Sequence, residues 1–293
     1  VYLKAMPKTH IERIAVNAMA NGKLMTELHL KNISKGYSMA ATITPAGSEA
    51  SIGRQIIALN SNSVQTITTE WKGIQTWDCE NPNLYTLKLE LLNPQKQTVH
   101  IHEERIGFRT IEFRPKDGIY VNGTKIIVKG TNRHSFHPDG GRTTNRELSL
   151  QDALLIKEMN MNAVRSHYPP DEHFLDMCDS LGLVYMDELA GWQNSYDSKV
   201  GAKLVKEMIE RDVNHPCIIL WSNGNEGGWN TQTDPLFAQY DRLQKRHMVH
   251  PWADFNELDT HHYPTYLTGV ARFTNGYKVF MPTEFMHAMY DQG

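Results

Sequence analysis

Glu172-His173-Phe174-Leu175-Asp176-Met177-Cys178-Asp179-Ser180-Leu181-Gly182, followed by Leu183-Val184-Tyr185-Met186-Asp187-Glu188, holds the key to the fold. The first part reads as a helix, which Gly182 stops. The next four residues are an apolar run that ends in two acids. A strand that is apolar throughout is buried on both faces, as in a parallel sheet covered by helices. The same grammar recurs on either side. Ser149 with Asp152 three residues on resembles a capping box, opening a helix with Ala153, Leu154, Ile156 and Met159 on overlapping faces. Ala163-Val164 is a short strand, and Lys203 to Val213 reads as a helix before the strand Ile218-Ile219-Leu220-Trp221. Val249 to Ala253, Asp259 to Tyr263 and Val279 to Met281 continue the series. Strands alternating with helices predict a (β/α)8 TIM barrel, with strand centres near Ile126, Val164, Val184, Ile219, His250, Thr260 and Phe280. No eighth strand is apparent, so the barrel is expected to be truncated after strand seven.

Before about residue 113 the period is two. Tyr85, Leu87, Leu89 and Leu91 alternate with Thr86, Lys88 and Glu90, giving a strand with one buried face. Asn21-Gly22 reads as a tight turn feeding a strand from Leu24 to Leu30. Further short strands run from Tyr37 to Thr44 and from Val64 to Thr69. Such spacing predicts an immunoglobulin-like β-sandwich over residues 13–113, ahead of a catalytic barrel over 114–293.

The chain has 293 residues and a formal net charge of -3, with no basic stripe. That argues against nucleic acid or a membrane surface as partner. Its three cysteines, Cys79, Cys178 and Cys217, are too few and scattered for a disulfide framework, and no pair has the spacing of a thiolate zinc site. They read as buried free thiols. No apolar run is long enough to span a membrane. The 14 His and 6 Trp suit a sugar site, where aromatic faces and neutral hydrogen-bonding groups meet hydroxyls.

Polar residues cluster at the predicted carboxyl ends of the strands, the catalytic face of such barrels. They are Asn132-Arg133-His134, Arg165-Ser166-His167-Tyr168, Asp187-Glu188, Asn225-Glu226, His261-His262-Tyr263 and Glu284. Two glutamates, Glu226 and Glu284, each follow a buried strand. Glycosidic cleavage needs such a pair: one protonates the leaving oxygen, and the other attacks the sugar or activates water. An ionised nucleophile needs a cation beside it, and Arg165 is the best candidate. Asn225 can hydrogen-bond a sugar hydroxyl and Tyr263 can bond the nucleophile. His134, His167 and Asp187 are further supporting candidates.

These residues resemble glycoside hydrolase family 2, the family of bacterial β-galactosidases, β-glucuronidases and β-mannosidases. Trp77 with Glu80-Asn81-Pro82-Asn83-Leu84-Tyr85 matches its end-of-sandwich motif, and Arg105-Ile106-Gly107-Phe108-Arg109 its linker. Val121-Asn122-Gly123 and Gly130-Thr131-Asn132-Arg133-His134 match barrel entry. Arg211 to Pro216, leading into Gly224-Asn225-Glu226, matches the acid/base signature. The resemblance implies a retaining mechanism with Glu226 as acid/base and Glu284 as nucleophile. Glu284-Phe285-Met286-His287-Ala288-Met289 is closer to the β-galactosidase segment, which implies that His287 faces the sugar. It also implies that Val1 to about residue 12 is the tail of a further sugar-binding domain.

Two features depart from the family pattern. Trp192 and Asn194 occupy positions where enteric β-galactosidases bind magnesium, so no metal and no cofactor are expected; Trp192 is instead a substrate-binding candidate. The Asp187-to-Gln193 segment resembles family members from polysaccharide-degrading gut or marine bacteria, implying a plant or algal galactoside. Arg165 and His167 stand one residue closer than usual, and a one-residue shift along a strand turns side chains to the other face. The expected partner is a carbohydrate substrate; a homo-oligomer stays open. A β-glucuronidase and a non-catalytic carbohydrate binder are the alternatives.

Overall fold

The computed structural model describes residues 3–286, so Val1, Tyr2 and His287 lie outside the described residues. The chain forms two compact units. Among the described residues, one comprises 3–77, 81–109 and 213–216; the other holds 78–80, 110–212 and 217–286.

The first unit is a sandwich of a three-stranded and a four-stranded antiparallel sheet. β1 (His10–Ala18), β2 (Lys23–Lys31) and, later in the chain, Val64–Glu70 form one sheet. β3 (Ser38–Pro45), β4 (Gly53–Ala58), β5 (the Val64–Glu70 strand), β6 (Tyr85–Leu92) and β7 (Thr98–Ile106) complete the set, the second sheet running β4-β3-β6-β7. The alternation expected in β6 is present: Leu87, Leu89 and Leu91 are fully buried while Thr86 is exposed. Each buried leucine contributes about 2 kcal/mol by area removed from water. They pack with Leu28, Met39, Ile43 and Phe108 in one core. Tyr85, at the start of β6, accepts from the Gln75 amide at 2.6 Å through its hydroxyl, the corner device of immunoglobulin-like sandwiches. β1 starts at His10, ahead of the expected boundary at 13, because Ile11 is already a core residue.

The second unit opens with an antiparallel meander of β8 (Ile111–Arg114), β9 (Gly118–Val121) and β10 (Thr124–Ile126). This corrects the reading of Ile126 as the first barrel strand. Asn122 and Gly123, at φ 52 and 78, make the two-residue turn that pairs Val121 with Thr124. Asn-Gly with both φ positive is a type I′ hairpin signature. The first parallel strand is β11 (Gly130–Asn132). It pairs with β12 (Ala163–Arg165), then β13 (Val184–Glu188), β14 (Ile218–Ser222) and β15 (Met248–Val249), in sequence order. Successive parallel neighbours joined by helices are the order of a (β/α)8 barrel. A second ladder holds β16 (Asp254–Phe255), β17 (Leu258–Asp259) and β18 (Val279–Phe280), the last two parallel. His250 and Thr260, expected as strand centres, directly follow β15 and β17.

The helices are α1 (Arg146–Glu158), α2 (Glu172–Leu181), α3 (Ser198–Asp212), α4 (Asp234–Tyr240) and α5 (Tyr266–Asn275). α2 ends as expected, with Gly182 at φ 70. α1 starts a turn earlier than predicted: Asn145 caps it, accepting from the Leu148 amide at 2.9 Å. Ser149 is therefore inside the helix, buried and bonded to His173 Nδ1 at 2.7 Å. Asp152 pairs with Arg133 rather than with the helix start. The three cysteines are buried and form no disulfide among the described residues, and burial pushes the Cys79 thiol up to about 11. Among the described residues no helix is long and apolar enough to cross a membrane.

Candidate active site

The candidate residues follow the carboxyl ends of parallel strands, where backbone leaves the ladder and side chains from separate strands converge. Arg165 is the last residue of β12 and is 5% exposed. Its guanidinium donates to both Glu188 oxygens, Nε at 2.9 Å and Nη2 at 3.0 Å. Nη2 also donates to Asn225 Oδ1 at 2.8 Å, and Nη1 to Glu284 Oε1 at 2.7 Å. A planar fork suits this task, since it meets one carboxylate bidentately and still reaches a second. Glu188, fully buried at the end of β13, is further held by the Ser222 hydroxyl at 2.8 Å.

Glu284 receives three donors. Besides Arg165, His167 Nε2 lies 2.7 Å from Oε1, and the Tyr263 hydroxyl donates to Oε2. Burial by itself would raise this carboxyl, but the hydrogen bonds from His167, Tyr263 and Arg165 outweigh it and hold Glu284 well below the usual carboxylate range. A buried carboxylate so held is an ionised nucleophile in waiting. Burial, followed by the bond to Glu284, pushes the Tyr263 phenol up, keeping it a donor. His167 reaches Glu284 despite its unusual spacing from Arg165. The strand ends at Arg165 and the chain bends at His167, which brings its ring to the same carboxylate.

Glu226 sits in the loop after β14, at φ 44. Trp192 Nε1 donates to its Oε2 at 2.8 Å, and His262 Nδ1 lies 3.4 Å from Oε1. The loops carrying these residues touch through backbone: the Asn225 amide donates to Gly191 O at 2.7 Å. A Cβ on Gly191 would stand 2.5 Å from Gly228 O, and one on Gly228 would stand 2.3 Å from Gly191 C. Both must be glycine for the approach that brings Trp192 to Glu226. Tyr263, at φ 47, is a second left-handed residue here. Such strained positions cost about 1–3 kcal/mol each and persist where surrounding structure imposes them.

One carboxylate oxygen of Glu226, one of Glu284 and a His262 nitrogen all lie within 4.8 Å of one another. The two glutamates border a pocket of about 630 Å³, with His134, His167, Trp192, Asn225 and Tyr263 in its wall. The size is that of a small-molecule site. His134 stacks on His167, with ring centroids 4.8 Å apart and planes at 15°. Burial, then the neighbouring His167, pulls the His134 imidazole down, favouring the neutral ring. Tyr168, Ala190, Gly191, Asn194 and Tyr196 complete the lining.

Thus Asn225, His134, His167, Trp192, Tyr263 and both glutamates line one pocket, and Arg165 reaches it through its bonds to Glu284 and Asn225. Asp187 does not join them. It is fully buried with Asp212 as its near neighbour, while the next residue, Glu188, faces Arg165. Alternation along β13 turns two consecutive acids in opposite directions, and nothing local says which turns inward. Glu188 and His262 stand in the strand-end clusters of the sequence reading without a role of their own, and Tyr196 is not named there. A second cleft, lined by Arg146, Asp171, His173, Asp176 and Arg211, is a surface feature braced by ion pairs such as Arg146–Asp176 at 2.9 Å.

Against known proteins, the family model described as glycosyl hydrolases family 2, TIM barrel domain, matches residues 112–268. The model described as glycosyl hydrolases family 2 matches residues 9–109. A β-galactosidase of Thermoanaerobacterium thermosulfurigenes is 44% identical over 156 residues, which cover 51% of this chain and 21% of that protein. A putative β-glucuronidase of Formosa agariphila is 28% identical over 285 residues, covering 94% of this chain and 34% of that one. The structure of Bifidobacterium dentium β-glucuronidase complexed with coumarin-3-O-glucuronide superposes with a TM-score of 0.82 at 22% identity, covering 95% of this chain and 54% of that one. The chain thus spans about a fifth to a third of the length of these two curated relatives.

Proposed function

The chain belongs to glycosyl hydrolase family 2, and from that premise we propose that it is the sandwich and catalytic part of a retaining β-galactosidase. Glu226 donates its proton to the glycosidic oxygen while the Glu284 carboxylate attacks the anomeric carbon, and the bond to the leaving group breaks. Glu226, now ionised, takes a proton from water; the water oxygen bonds to the anomeric carbon and Glu284 is released. One observation carries the reading. The two carboxylates approach within 4.8 Å, and one of them, Glu284, is held ionised by Arg165, His167 and Tyr263. Such an approach suits direct attack on the sugar better than the wider gap that leaves room for a water.

The galactoside reading is supported by the β-galactosidase relative and by a pocket wall in which, among the described residues, no lysine or arginine appears. A β-glucuronidase is the second reading, favoured by the Formosa relative and by the Bifidobacterium structure. Rates on aryl β-galactoside, β-glucuronide and β-mannoside with the full-length protein separate the two. Proton NMR of the first-formed sugar should show the β anomer; an α product would overturn retention. Glu284→Gln should lower kcat at least about a thousandfold, and near-normal turnover would refute the nucleophile assignment.

A further inference from the structure

We propose that His262 is a positioning residue that bridges the two carboxylates and holds Glu226 over the reacting bond. The inference rests on the glycosidase reading above. His262 is 4% exposed, and its Nδ1 lies 3.4 Å from Glu226 Oε1 and 3.6 Å from Glu284 Oε2. Glu284 is held ionised and accepts, so a proton on Nδ1 is the one that can be shared with it and with an accepting oxygen of Glu226. Nε2 is buried and has no hydrogen-bond partner among the described residues. In this role the imidazole is the neutral Nδ1–H tautomer, the form that donates to these oxygens. Burial, which depresses its basicity against the raising pull of Glu284, points the same way.

This arrangement answers a need of the double displacement. Glu284 is fixed by three other donors, whereas Glu226 has Trp192 and His262. Trp192 is 64% exposed and comes from a loop, so it is the looser of the two. His262 follows β17 closely and is packed edge-on against Tyr263, with ring centroids 5.8 Å apart. A single N–H between both oxygens can lean toward Glu284 while that group is free. It can lean toward Glu226 once Glu284 is bonded to the sugar and Glu226 must act as base. A cationic ring would be a competing proton source there, and the buried neutral tautomer avoids it.

The test uses His262→Asn, whose side-chain N–H can occupy about the Nδ1 position, and His262→Phe, which keeps the volume and removes the donor. The indole N–H resonance of Trp192 in the ¹⁵N-labelled full-length protein reports Glu226 directly, without substrate. Expected is a displaced or broadened Trp192 signal in His262→Phe and a near wild-type signal in His262→Asn. On aryl β-galactoside, kcat should fall about 10- to 100-fold in His262→Phe with KM changed less than about threefold, and His262→Asn should recover most of it. An unmoved Trp192 signal in His262→Phe, or a His262→Asn protein no better than the Phe variant in both measurements, overturns the proposal. If His262→Phe does not fold, a His262→Asn protein with a displaced signal and lowered kcat does the same. Absence of turnover on every aryl glycoside with the expected Trp192 pattern refutes the glycosidase reading while leaving the bridge in place.

Discussion

Arg165→Lys keeps the charge and removes the fork, and so isolates what the guanidinium geometry supplies. The Arg165 guanidinium makes four hydrogen bonds of 3.0 Å or shorter, two to Glu188 and one each to Asn225 and Glu284. One ammonium cannot span both carboxylates and also reach the amide. Glu188 is wholly buried and Glu284 nearly so, so a lost partner leaves a desolvated carboxylate. Breaking such a buried pair costs about 3–5 kcal/mol. Retained charge should hold the loss to the lower end, about 3 kcal/mol. For a domain of this size that lowers Tm by about 6–12 °C. Glu284 would also lose one of its three donors and its alignment, and a drop in kcat of about 100-fold, or about 2.7 kcal/mol, is expected. Scanning calorimetry and steady-state rates on an aryl β-galactoside read the two effects. A variant with Tm within about 2 °C and kcat within about threefold of wild type would refute the view of Arg165 as the clamp of this site.

Three further outcomes are expected. Asp187 is raised well above 3.8 by burial and then by Asp212, so the folded state keeps a proton that the unfolded chain has released. Stability should then fall as pH rises above about 3.8, by up to about 1.4 kcal/mol per pH unit for this one proton, and Asp187→Asn should lose that slope in denaturant titrations taken upward from about pH 5. Equal slopes would sink the account of a proton retained on buried Asp187. Gly182→Ala puts a Cβ 2.5 Å from Cys79 O at φ 70, and should cost at least about 2 kcal/mol, or about 4–8 °C in Tm; an unchanged melting curve would mean the cap relaxes freely. Trp192→Phe removes the N–H that reaches Glu226 from an exposed side chain. It should lower kcat about tenfold while stability stays within about 0.5 kcal/mol, and equal losses in both would show a structural role instead.

Legibility varies with the range of the interaction. The α2–Gly182–β13 stretch is legible almost to the residue, because a helix stop and an apolar run are local. The start of α1 is not, since Ser149 and Asn145 are both competent caps, and tertiary contacts of Ser149 and Asp152 make the choice between them. Ile126 resembles a barrel strand by its apolar run, although Asn122-Gly123 already spells out a hairpin. The two glutamates are legible because each follows a buried strand. His262 is hidden among three consecutive aromatic residues, since its role needs Glu226 and Glu284 on either side.

By itself the sequence determined the two periodicities, the alternation of strand and helix, and the family pattern, all of which depend on residues close in the chain. Tertiary structure decided which neighbour of each pair faces inward. It turned Glu188 toward Arg165 and Asp187 toward Asp212. It also joined Arg165 to Glu284 across 119 positions. A strand's parity is set by its register with its neighbours, and a carboxylate's charge by the donors that surround it. Neither is written at the residue itself.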